Sequence, residues 1–341
     1  MHRKPLHKLA IASFVVGLSL SAAAQDHTLL ATPTTVAWGY YSGFSKPVLT
    51  IKSGETVKMQ TLASCGDDKA LARDGVAEAD IPKYIAPIHE QVTDKGPGGH
   101  VLTGPVFVEG AEVGDVLEVQ VVKIDLDTPF ACNHFRATSG FLQSEFPYAK
   151  SKIIPLDREK MVANFGPGIV IPLHPFFGSM GVAPGQARVS SGPPAVQGGN
   201  MDNKELVAGS SIFYPVLSKG GLFEAGDGHA GQGNGEVDVT AMETFLSGTF
   251  RFIVHKDQHL TYPRAETPAN YISMGFSPDL KEAATLALHN MIAFLIDTKH
   301  MNRDDAYMLT SVACDMDVTE VVDGNDGVHV MCPKSIFVSG K

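Results

Sequence analysis

Apolar and polar positions alternate in short runs over most of the chain, and turn-forming residues separate the runs. Val48–Ile51 and Thr56–Met59 read as strands parted by Ser53-Gly54. Val101–Ile124 carries Val106, Val108, Val116, Val119 and Val121 around a turn at Glu112–Asp115. Ile169–Leu173, Ser211–Val216 and Thr249–His255 follow the same rule, the last setting Phe250, Phe252 and Val254 against Arg251 and Ile253. Cys65–Gly99 is polar, with one short helix predicted around Ile81–His89, and reads as a surface excursion of the length that covers a site. Between Thr128 and Pro175 aromatic and proline residues break the period, and Gly178–Gly199 is predicted to be irregular and to form a binding wall.

The period changes near the C-terminus. Ser277 is placed to cap a helix that starts with Pro278, carries Leu280, Leu288, Met291, Ile292 and Leu295 on one stripe, and ends near Lys299. Asn302 caps a second helix, Arg303–Ala313, and Val318–Val322 and Val328–Met331 are strands around a turn at Asp323–Gly327. The pattern predicts a mainly β fold: a β-sandwich, jelly-roll-like, over about residues 30–260 and an α+β portion over about 261–341.

Composition narrows the setting. A basic start (Arg3, Lys4, Lys8), an apolar run Leu9–Leu20 and Ala22–Ala24 predict a signal peptide over residues 1–24, and hence a periplasmic or secreted protein without stable membrane insertion. Its removal takes three basic residues and no acid, moving the formal charge from -10 to -13, which argues against nucleic acid as a partner. Cys65, Cys132, Cys314 and Cys332 are too scattered for a disulfide framework or a thiolate zinc site, and an oxidising compartment leaves three full pairings open.

The chemistry is expected in Gly226–Glu243. Asp227 and His229 lie two apart after an apolar run, so at a strand end both leave by one face, as a pair of metal ligands does. Five glycines from Gly226 to Gly235 let the backbone turn and approach a ligand, with Gln232, Asn234 and Glu236 between and after them.

This stretch, GDGHAGQGNGEVDVTAMET, resembles the signature of the acetamidase/formamidase family. Five further blocks resemble that family in its order: His100–Val119, Pro175–Pro184, Gly198–Val216, Ala265–Gly275 and Val318–Phe337. Asn234 stands where the family usually has Asp, and Asp238-Val239 replace a small pair that usually includes Gly. The resemblance implies hydrolysis of a small aliphatic amide, formamide- or acetamide-like, to carboxylate and ammonia, and self-association as a homo-oligomer.

Amide hydrolysis needs a nucleophile, stabilisation of the carbonyl oxygen and a proton donor for the leaving amine. No Gly-x-Ser-x-Gly elbow is present, so a metal-activated water is expected, with zinc as the first choice. Asp227, His229 and Asp202 are its expected ligands and His100 a further one; Glu236 is the expected general base, and Asn200 and Gln232 are placed to hold the amide. His255 and His259 stand as outside ligand candidates, His329 as structural, and Cys65 as a rival nucleophile whose neighbours Asp67 and Asp68 would raise its pKa. The alternative is a periplasmic ligand- or calcium-binding sandwich without hydrolase activity, since carboxylates also hold calcium.

Overall fold

The computed structural model describes residues 26–338. The expected signal peptide lies outside the described residues. Two sheets face each other. The larger has nine strands in the spatial order His27–Leu29, Thr56–Gln60, Leu246–His255, Val116–Leu126, Ser211–Pro215, Arg264–Glu266, Asn270–Ser277, Asp326–Pro333 and Asp315–Glu320. The smaller runs Gly198–Asn200, Phe176–Gly181, Phe223–His229, Val101–Glu109 and Val36–Trp38, with Leu49–Lys52 pairing parallel to Val101–Glu109.

The core between them is built from the inward half of each alternating run. Phe250 and Phe252 from the large sheet meet Phe177 and Phe223 from the small one, with ring centroids 5.2–5.6 Å apart. All four rings are fully buried. Burial of a large apolar side chain contributes about 1.5–3 kcal/mol, so this quartet is a main tie between the sheets. The sheet does not end near residue 260. The strands after it extend the same nine-stranded sheet, and the C-terminal helices pack on that extension.

Four α-helices are described: α1 (Asp68–Arg73), α2 (Ile85–Gln91), α3 (Leu280–Lys299) and α4 (Arg303–Ala313). No described helix is long and apolar enough to cross a membrane. The α3 cap is Asp279, whose side chain accepts from the Glu282 amide at 2.9 Å; Ser277 ends the preceding strand. Its buried stripe is Ala283, Ala287, Met291 and Leu295, whereas Leu280 is exposed and Leu288 only half-buried. The reason is Gly275 on the strand beneath: a Cβ there would lie 2.2 Å from the Ala283 carbonyl, so α3 and the strand meet on their smallest residues. Asn302 caps α4 as expected, accepting from the Asp305 amide at 2.9 Å.

Two stretches are more regular than their sequence suggests. Phe130–Phe135, Lys150–Asp157, Val162–Gly166 and Ile169–Pro172 form an antiparallel four-stranded sheet. Phe176–Gly181, Arg188–Ser190 and Gly198–Asn200 are strands within the segment expected to be irregular; backbone pairing holds them without an alternating pattern. The excursion over residues 61–100 carries α1 and α2 and packs Leu71, Ile85 and Ile88 beside Phe130 and Phe245.

All four cysteines are paired, Cys65–Cys132 and Cys314–Cys332. Cys65 therefore offers no thiolate, which removes it as a nucleophile.

Candidate metal centre

The small sheet brings the chemistry to one edge. Asn200, Ser179 and Gly226 lie in register across three neighbouring strands, and Gly226 faces Leu102 on the fourth. Continuing each strand past that row places Asp202, Asp227, His229 and the residue before Val101, His100, at the same end of the sheet. Asp202, Asp227 and Glu236 have positive φ (45°, 57° and 44°), a region that non-glycine residues seldom occupy and that clusters at functional sites.

His229 is the centre of the group and is fully buried. Its Nε2 lies 3.2 Å from Asp227 Oδ2 and 3.3 Å from Glu243 Oε1. On the other side of the ring, Nδ1 is 2.9 Å from Gln232 Oε1, and Gln232 Nε2 donates to the Asp202 carbonyl at 2.8 Å. A carbonyl only accepts, so the Gln232 amide is fixed, its oxygen faces the ring, and Nδ1 carries the proton. Nε2 is then the nitrogen turned toward Asp227 and Glu243. His100 is oriented in the same way: Nδ1 meets Ser191 O at 3.0 Å, while Nε2 points to Asp227 Oδ2 at 3.8 Å. Ser64 donates to Asp227 Oδ1.

Two triads could hold a cation, Asp227/His229/Glu243 and Asp202/His229/Glu236, each with its donor atoms within 4.8 Å of one another. Asp202 approaches His229 from the Nδ1 side, at 3.8 Å, so it belongs with Glu236 and Asp323 more than with Asp227. The residues fit a metal on three observations. Both Asp202 carboxylate oxygens, Glu243 Oε2 and Asn200 Oδ1 are buried without a hydrogen-bond partner among the described residues. A Cβ on Gly178 would fall 2.4 Å from Asp202 Oδ1 and 2.7 Å from Asp227 Oδ2, so the strand beside the site carries no side chain where the carboxylates converge. The donors are imidazole and carboxylate, each imidazole held from behind by a hydrogen bond on its other nitrogen, as metal-binding histidines usually are.

The charge balance points the same way. Burial, then Glu236 and Asp323, push the Asp202 carboxyl well above the usual carboxylate range. Burial with Asp323 and Glu243 does the same to Glu236, and burial raises Glu243. Glu320 is pushed up to about 9, by burial first and Asp323 second. For His229 burial opposes the charged ring, but the Glu243 and Asp227 carboxylates outweigh it and favour imidazolium. Asp227 is held low: burial alone would raise it, and His100, His229 and the Ser64 hydroxyl reverse the sign. Buried carboxylates outnumber the histidines, so the group requires protons or a cation to be neutral.

A cleft of about 760 Å³ opens on this edge, with Gln232 and Glu236 among its lining residues. Asn234 and Asp238, two of the positions that depart from the family pattern, line it as well.

The sequence-predicted residues Asp202, Asp227, His229, Glu236 and His100 therefore converge, and Gln232 joins them with both ends of its amide engaged by the protein. Asn200 lies in the row beside them. His255 and His259 do not: they pair with Glu118 Oε2 and the Gly114 carbonyl elsewhere. His329 is fully buried, its Nδ1 2.7 Å from Thr319 Oγ1 on the neighbouring strand Asp315–Glu320, and Val328 and Val330 are buried too, so both faces of its strand are covered. Glu243, given no role from the sequence, is buried and faces His229. Asp323 and Glu320 arrive from the C-terminal hairpin, which the Gly235 amide clasps through Thr319 O at 2.9 Å. The signal for all three was their place in the stretches that resemble the family, Gly226–Glu243 and Val318–Phe337.

The acetamidase/formamidase family profile matches residues 46–192 and 186–339. Over 191 residues the chain is 27% identical to a formamidase of Methylophilus methylotrophus, covering 40% of this chain and 47% of that protein, so it matches about half the length of that relative. Among solved structures, the fold superposes on a predicted acetamidase/formamidase of Thermoanaerobacter tengcongensis with a TM-score of 0.77 and 25% identity, over 91% of this chain and 96% of that one. An acetamidase of Yersinia enterocolitica gives a TM-score of 0.76 and 26% identity, over 94% and 96%.

Proposed function

Since the chain belongs to the acetamidase/formamidase family, we propose that it hydrolyses a carboxamide to carboxylate and ammonia at the His229 centre. The observation that carries this reading is the convergence of Asp227 Oδ2 and Glu243 Oε1 on the Nε2 of a His229 ring locked by Gln232. Asp227, His229 and Glu243, with His100 adjacent, are the residues that would hold the ion, and zinc is the proposed metal. A divalent ion there supplies Lewis acidity toward the carbonyl and lowers the pKa of a water.

The chain's own groups do the rest. Among the buried acids around His229, Glu236 is the one that lines the cleft, and burial lifts its proton affinity toward that of a base which accepts from water and then gives to the leaving nitrogen. Asn200 Oδ1, unpartnered among the described residues, is free to accept from the substrate amide N–H. Gln232 acts as a positioning residue through His229 and the Asp202 backbone. A second reading, calcium in the oxygen-rich group around Asp202, Glu236 and Asp323 without hydrolysis, is favoured by the excess of carboxylates. We also propose export, which the two disulfides support. Homo-oligomerisation is proposed on the family likeness, and light scattering decides it.

Ammonia release from formamide, acetamide and propionamide, with metal content by mass spectrometry before and after chelation, tests the reading. Turnover lost with the metal, restored by zinc and absent in Glu236→Gln is expected. Turnover indifferent to chelation would overturn the metal step, and bound calcium with no turnover would favour the second reading.

A further inference from the structure

Formamide and acetamide place at most one methyl beside the amide, yet the cleft next to Glu236 has about 760 Å³. Clefts of roughly 300–1,000 Å³ are the size that buries drug-sized ligands. Its lining is largely apolar, with Phe165, Ile171, Pro172, Val207, Val237 and Met242. Lys204 is the one Lys or Arg of the lining, against the carboxylates Glu205, Glu236 and Asp238, so an anionic acyl group is disfavoured there. The apolar surface continues past the rim. Phe141 donates its backbone N–H to the Val237 carbonyl at 2.8 Å, and Phe141 and Val237 are 64% and 58% exposed. Two family departures, Asn234 and Asp238, line the same cleft, Asp238 directly after Val237.

We propose that the physiological substrate is a primary amide with an uncharged apolar acyl group several carbons long or aromatic, seated along the Phe165–Ile171–Val237 wall with its carboxamide at Glu236. This rests on the amidase reading above and specifies its substrate class. The physical reason is the transfer of apolar surface out of water: a short amide leaves this wall wet, whereas each added methylene that it covers strengthens binding. No covalent step beyond hydrolysis is involved. Water adds to the carbonyl carbon, the C–N bond breaks, and the nitrogen leaves as ammonia with the transferred proton.

The test compares kcat/KM for acetamide, hexanamide and benzamide on the zinc-loaded protein and on Val237→Trp, an exposed substitution that fills the mouth of the cleft. Calorimetric titration with hexanoate, the product of hexanamide, runs in parallel. Hexanamide is expected to exceed acetamide by at least ~10-fold, since a methylene in an apolar pocket is worth about 10-fold or more. Val237→Trp is expected to lower the hexanamide-to-acetamide ratio at least ~10-fold and to weaken hexanoate binding. Acetamide cleaved as well as or better than hexanamide would overturn the proposal and leave the amidase reading standing. If no amide of any length is cleaved, the amidase reading fails, and hexanoate then decides the cleft: binding that Val237→Trp abolishes supports an apolar ligand site, and no binding overturns it.

Discussion

At Gly178 one added methyl would meet Asp202 Oδ1 and Asp227 Oδ2 well inside contact distance, without altering any donor atom. Gly178→Ala is therefore expected to lower metal content and amidase activity about 10- to 100-fold, the range for changes just behind a metal's ligands. Metal analysis beside circular dichroism checks it, and full metal occupancy in a folded variant would refute the crowding argument. Gln232→Ala frees the Nδ1 side of His229 and is expected to weaken metal affinity by a similar factor, about 10- to 100-fold; competition with a chromogenic chelator measures this. Asp227 and His229 were legible because two residues at a strand end need no partner to declare a common face. Glu243 was not, since alternation shows which side of a strand a residue takes but not whether that side meets water. Gln232 was legible as a polar tip in the loop, but its contact with the Asp202 carbonyl depends on a segment thirty residues away.

Local order in the chain carries less information about which elements meet. The disulfide joins Cys65, next to Ser64 on Asp227, to Cys132, whose backbone exchanges two hydrogen bonds of 2.8 Å with Glu243. One covalent link thus braces two residues at the centre from opposite sides. Replacing both cysteines by serine is expected to reduce stability by about 2–5 kcal/mol and to lower metal affinity as well. Urea unfolding separates the two effects, and unchanged metal binding in the folded fraction would refute the bracing role. The α3 stripe was predicted from its leucines, but the strand under it has Gly275, so the smaller alanines take the contact. In the sheet around Phe130–Pro172 the strand at Ile169 was legible, but the other three were not, because Pro155 and the surrounding aromatics obscure a period of two. The strands inside Gly178–Gly199 are held by backbone bonds that side-chain pattern does not report.

For the molecule as a whole, the frequency of short alternating runs was enough to read a mainly β sandwich with helices near the C-terminus. The join was not, because continuing a sheet and starting a new layer look alike in sequence. The buried acids also give the whole fold a distinctive response to pH. In metal-free protein Glu320 is lifted from its ordinary 4.5 to about 9, and Asp202, Glu236 and Glu243 are raised too. Between those values the folded state binds more protons than the unfolded one, so its stability falls as pH rises from about 4.5 to about 9. The melting temperature of chelated protein is expected to be higher at pH 5.5 than at pH 8, within this window. Adding zinc reverses the trend, because protons compete for the same donors, and free zinc at 100 times its Kd adds about 2.7 kcal/mol. A chelated protein that melts higher at pH 8 would refute the assignment of buried protons. Asp202, Asp227 and Glu236 all sit at left-handed backbone angles where glycine would rest without steric penalty. Selection for durability alone would erase them. An Asp202→Gly chain is expected to melt higher than its metal-free parent, because it relieves a left-handed angle and removes two buried oxygens without hydrogen-bond partners while keeping the backbone carbonyl that holds Gln232.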